Sequence, residues 1–128
     1  MSEPLVGIIL AHAEVAEALV SAVRAIAGGD HGLVPVSNAG CDRAAIQERL
    51  VAAVGGRPAV IFTDLPGGSC AVGAGGFARL RPDVRVVTGV NLPMLLDFAF
   101  HRERSAEEAA VRAVATGRAA VGGGGAGQ

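Results

Sequence analysis

His12 stands where the apolar run Leu5 to Ala11 stops and a helical pattern containing Glu14, Glu17, Leu19 and Val20 begins. That junction reads as the carboxyl end of a buried strand. Loops at this edge of an open α/β sheet hold side chains that are rigidly placed yet open to ligand. A second junction of the same kind follows Ala59 to Thr63, where Asp64 precedes Leu65-Pro66-Gly67-Gly68-Ser69. An imidazole, a carboxylate and a glycine turn can therefore share one edge. A neutral ring nitrogen is a good nucleophile near pH 7, its ordinary pKa being roughly 6.5. A carboxylate on the other ring nitrogen fixes the tautomer and supports the charge that grows on the ring; Asp64 is the candidate. Backbone N–H groups of Gly67, Gly68 and Ser69, at a helix start, are a candidate cradle for an anionic group. Plainer readings stand beside these: a packed histidine, a loop acid or helix cap, a turn made tight for packing, and Ser69 as a cap.

The elements that must position these groups alternate short Val- and Ile-rich runs with segments of helical period, the pattern of βαβ units. Strands are expected at 5–11, 33–36, 58–63 and 84–88, with Pro35 marking the second as an edge. Helices are expected over Val15 to Ala27, from Arg43 to Val54 with Asp42 as cap, and after the glycine turn with Ser69 as cap. Gly73, Gly75 and Gly76 in that third helix weaken its propensity by roughly 1 kcal/mol each and suggest close packing. Asn91 and Pro93 suit the start of a fourth helix, and Ser105 opens a last one that should end near Gly117. The fold class is a three-layer α/β domain, a mostly parallel sheet with helices on both faces, over residues 1–121. Residues 122–128 form a Gly-rich tail expected to be flexible.

Composition narrows the function. A chain of 128 residues with 51% apolar content fits one domain with one core. A net charge of −1 and four Phe without Trp or Tyr argue against nucleic acid as a partner. Cys41 and Cys70 form no CxxC pair, which argues against a zinc site and for free thiols in a reducing compartment. The first apolar run is short, lacks a basic leader and supports neither a signal peptide nor membrane insertion, so a cytoplasmic protein is expected. His31 and His101 lack strand-edge acids nearby and read as surface residues. Arg79, Arg81 and Arg85 read as a solvated basic group.

The segments VGIILAH, VAEALV, VIFTDLPGGS and VVTGVNLPML, in this order and at these separations, resemble the EIIA domain of the mannose-type family of the bacterial sugar phosphotransferase system. The resemblance spans roughly residues 5–121, and GVNLPML is its most specific element. It implies a phosphocarrier that accepts a phosphoryl group from the carrier protein HPr on His12, with Asp64 in support, and passes it to an EIIB domain. It also implies a homodimer in which a short last strand, here Arg118 to Val121, crosses to the partner. The leaving group would be a neutral imidazole, so neither a metal nor another cofactor is expected. The chain departs from the family pattern at Ala13, where glycine is frequent, at Cys70, where proline is common, at Pro66, and at Val72 and Gly73, where an asparagine is often found. An alternative is a stand-alone regulatory phosphoprotein whose His12 phosphorylation controls binding to another protein. A third reading, a small-ligand module using the GGS loop, has no GxGxxG fingerprint behind it.

Overall fold

Strands covered on both faces carry unbroken apolar runs, and two runs of this chain are buried at every position: β1, Val6–Ala11, and β3, Ala59–Thr63. They are the central pair of the sheet in the computed structural model, which describes residues 4–125. The outer strands, β2 (Leu33–Ser37) and β4 (Val84–Thr88), are only partly buried. The order is β2-β1-β3-β4 and every pairing is parallel, with Leu10 opposite Thr63 and Ile9 opposite Pro35. Pro35 lacks an N–H to donate and is tolerated because its strand is an edge.

Alternation along the strands divides the core. Ile9, Val60 and Phe62 face α1 (Val15–Ala27), α4 (Leu92–Ala99) and α5 (Ala106–Ala120), while Ile8, Leu10 and Ile61 face α2 (Arg43–Val54) and α3 (Gly68–Arg79). Phe62 meets Phe98 edge-on, the ring centroids 5.4 Å apart. The result is the expected three-layer α/β architecture, with an all-parallel sheet.

Helix starts follow the expected chemistry at three places: Asp42, Asn91 and Ser105 accept from the backbone N–H of Ala45, Met94 and Glu108. Ser69 is a correction. The cap of α3 is Gly67, which offers no side-chain bond, and Ser69 lies inside the first turn. Helix α5 also runs past Gly117 to Ala120. That glycine is no stop signal; a Cβ there would collide with Met94 Cε and sit 3.2 Å from Asn91 Oδ1, so it marks where α5 crosses α4 closely. The crossing strand expected over Arg118 to Val121 is consequently absent from the described residues: 118–120 are helical and Val121 is extended. Of the α3 glycines, only Gly73 is tightly packed, 2.7 Å separating its would-be Cβ from Ile46 Cγ2, whereas Gly75 has open space.

Other surface expectations also change. His31 is buried at 6% exposure, its Nδ1 accepting from Leu33 N–H at 3.0 Å. His101 is half-buried and lies 3.5 Å from Asp97, which also pairs with Arg112 at 2.8 Å. Arg81 pairs with Asp83 and donates to the carbonyls of Gly55 and Arg57, and Arg85 donates to those of Pro82 and Val84, so two of the three arginines tie turns together. Among the described residues no helix is long and apolar enough to cross a membrane. Residues 122–125 are exposed and outside any helix or strand, and the rest of the expected tail, 126–128, lies outside the described residues, as do 1–3 of the expected domain.

Candidate active site

Because β1 and β3 are parallel neighbours in register, their carboxyl ends place His12 and Asp64 side by side. The carboxylate grips the histidine twice. Its Oδ2 accepts from the His12 backbone N–H at 3.0 Å, and the ring Nδ1 lies 2.9 Å from Oδ2 and 3.1 Å from Oδ1. Oδ1 also accepts from the Leu65 N–H at 3.1 Å. Burial alone would raise the Asp64 pKa, but the backbone and ring hydrogen bonds from His12 outweigh it, and the carboxyl lies below its ordinary range. An ionised acceptor favours the proton on Nδ1 and leaves a lone pair on Nε2. The ring is 40% exposed and the carboxylate 16%. The imidazole is open to solvent while the carboxylate that holds it is sheltered.

The turn behind His12 is strained. Ala13 has φ of +51°, the only positive value for a non-glycine among the described residues. A left-handed L-residue costs roughly 1–2 kcal/mol, which is the physical reason a glycine suits this position. Ser37, at the end of β2, secures the turn by donating from Oγ to the Ala13 carbonyl at 2.8 Å.

Gly67, Gly68 and Ser69 lie at the α3 start, Gly68 with φ of +86°. The first-turn N–H groups of a helix lack intrahelical acceptors and carry the positive end of its dipole. Ser69 Oγ accepts from Asn38 Nδ2 at 3.2 Å. A cleft of about 250 Å³ lies beside this turn, lined among others by Cys41, Arg43, Gly68, Ser69 and Val72; His12 is not among its walls. The His12 ring is thus presented at the surface rather than inside a pocket, where another protein can reach it.

Three further residues meet His12, its turn or Ser69 at this edge, and local sequence points to none of them directly. Ser37 and Asn38 belong to the same sheet edge as His12, and the signal for them was the end of β2. Cys70 Sγ lies 3.9 Å from His12 Nδ1, fully buried beneath the ring. Burial and the Asp64 carboxylate push this thiol up, against a hydrogen bond from Ser69. Its signal was the place it takes after GGS, in the turn that folds back toward His12.

The family model EIIA-man, described as the PTS system fructose IIA component, matches residues 7–115. No curated protein sequence is significantly similar to the chain. Among solved structures, the mannose/sorbose specific IIA subunit of the phosphotransferase system from Enterococcus faecalis is 24% identical, with a TM-score of 0.86 and 98% of each chain covered. The phosphotransferase system component EIIA from Streptococcus agalactiae is 21% identical, also with a TM-score of 0.86, covering 93% of this chain and 96% of its own. These likenesses establish the shared fold.

Proposed function

Since the chain belongs to the EIIA-man family, the IIA components of the sugar phosphotransferase system, we propose that His12 is its phosphoryl carrier, loaded by phospho-HPr and unloaded onto an EIIB domain. The observation that supports this most directly is the 2.9 Å contact between His12 Nδ1 and Asp64 at a solvent-open strand end.

The chemistry is an in-line exchange between two imidazoles. His12 Nε2 attacks phosphorus, a new N–P bond forms as the bond to the donor's ring breaks, and the donor, already protonated on its other ring nitrogen, takes back the electron pair and leaves as neutral imidazole. The proton on His12 Nδ1 stays in place. Positive charge growing on the ring is stabilised by the Asp64 carboxylate, and the phosphoryl oxygens are met by the N–H groups of Gly67, Gly68 and Ser69. Reversal of the same steps hands the group to EIIB. Such work belongs on the cytoplasmic side of a sugar permease.

A homodimer is part of the same reading. The outer edge of β4 has no neighbouring strand among the described residues, and a groove of about 330 Å³ runs along it between Val86, Thr88, Met94, Gly117 and Val121. An open parallel edge of this kind is a template for another strand.

The test is incubation with phospho-HPr followed by mapping of the label. An acid-labile phosphate on His12, absent from His12→Ala and transferable to an EIIB domain, is the expected result. Undiminished labelling of His12→Ala would overturn the assignment.

A further inference from the structure

We propose that His12, Asp64 and Cys70 form a binding site for one soft divalent cation of the zinc class, whose occupation switches the carrier off. The binding half stands on geometry alone. The inhibitory half rests on the phosphocarrier reading of His12.

The three side chains come from the end of β1, the end of β3 and the first turn of α3, and each offers one ligand atom within 4.8 Å of the others. Two of the separations are 2.9 Å, from Nδ1 to Asp64 Oδ2, and 3.9 Å, from Nδ1 to Cys70 Sγ. Tetrahedral zinc, with bonds of about 2.0–2.3 Å, sets its ligand atoms roughly 3.3–3.8 Å apart. These two spacings lie on either side of that range, and the third, from Asp64 to Cys70, is no more than 4.8 Å. A cation can therefore take the place of the proton now shared between Nδ1 and the carboxylate, with side-chain shifts of up to about an ångström. Three protein ligands leave the fourth tetrahedral position for water.

Ligand chemistry selects the ion. One nitrogen, one sulfur and one carboxylate suit zinc and its neighbours, whereas magnesium requires an octahedron of oxygens.

The charges and protons balance. Cys70 releases its proton to solvent, giving a thiolate that with the Asp64 carboxylate neutralises the ion. The imidazole keeps its single proton, but coordination through Nδ1 moves that proton to Nε2. The lone pair that would attack phosphorus is then gone. Occupation thus blocks transfer by tautomer, without covering the surface on which a partner docks.

The test uses the full chain, reduced and metal-free, titrated with Co2+ and then Zn2+. One equivalent of Co2+ should produce a thiolate-to-cobalt absorption in the near ultraviolet, removed by Zn2+, absent from Cys70→Ala and retained in Cys41→Ala. Zn2+ competition against a chromophoric chelator should show binding weakened by about tenfold or more in Cys70→Ala and in His12→Ala, since a direct ligand matters at least as much as an outer-shell one. His12→Ala alters a half-exposed ring and so reports independently of any effect on the core. A wild-type chain without the band, or a band equally strong in Cys70→Ala, overturns the site. Labelling by phospho-HPr, each protein compared with its own metal-free rate, should fall at least about tenfold with Zn2+ in the wild type and stay near unity in Cys70→Ala. Full labelling of the zinc-loaded wild type overturns the inhibitory half. Failure of the metal-free wild type to label rejects the phosphocarrier reading and the inhibitory half with it, while the cobalt titration still decides the site.

Discussion

A carboxylate that holds both the main chain and the ring of one histidine sets position and tautomer together. Asp64→Asn keeps the shape but places an amide where a full negative charge faced the ring. Labelling by phospho-HPr should slow by about 10²–10⁴-fold, as for other orienting or acid–base groups, and a rate within twofold of wild type would exclude the orienting role. This pair was legible in the sequence because each residue directly follows an apolar strand, and strand ends in a parallel sheet converge. His31 was not legible. Its burial depends on Leu33 N–H as donor and on a chain path under Arg102, neither of which local spacing announces. The Nδ1 of His31 can accept only when bare, while Nε2 is buried without a partner among the described residues, so the folded site wants a neutral ring. Burial first, then Arg24 and Arg102, lower its pKa below 6.5, against Asp30. As pH falls the unfolded chain protonates this residue before the folded one does. Its contribution is therefore full above about pH 6.5 and is lost below it, by at most about 1.4 kcal/mol per pH unit. Urea midpoints taken near pH 7.5 and 5.5 should differ less in His31→Asn, whose Oδ1 can accept the same bond; an unchanged difference would count against this account.

At the scale of elements, α3 carries both meanings a helical glycine can have. Gly73→Ala drives a methyl to 2.7 Å from Ile46 Cγ2 and should cost about 1–3 kcal/mol in denaturant unfolding. Gly75→Ala meets nothing within 4 Å and should stabilise by about 0.5–1 kcal/mol through helix propensity. Stabilisation by both would mean that α2 and α3 are not in close contact at this point. Hydrophobic period and glycine punctuation gave nearly every element its place, and Asp42, Asn91 and Ser105 cap as their types suggest. One residue type serves two ends. A glycine such as Gly117 looks the same in sequence whether it stops a helix or lets two helices cross; Met94 of α4 and its cap Asn91 decide it. Ser69 lies two residues past the cap at Gly67, and both residue types can precede a helix. It exchanges a backbone role for a side-chain contact with Asn38.

For the whole molecule, four parallel strands in the order β2-β1-β3-β4 put every strand-to-helix turn at one end, and α5 returns there, its Gly117 carbonyl accepting from Asn91 Nδ2 at 3.0 Å. That convergence was readable from alternation alone, but the state of the open β4 edge was not, because it depends on a second chain. Light scattering at micromolar concentration should give about twice the 12.7 kDa chain mass, and a single-chain mass throughout would remove the homodimer. The same polarity leaves the far end, with the turns around Gly29, Gly56 and Pro82, free of any proposed chemistry. A tether fixed at Gly56 would hold the molecule on a sensor chip with the His12 rim facing the flow, whereas one fixed at Gly40 would crowd the approach of any protein meeting that rim. The direction of the strands thus decides where this protein can be handled without being silenced.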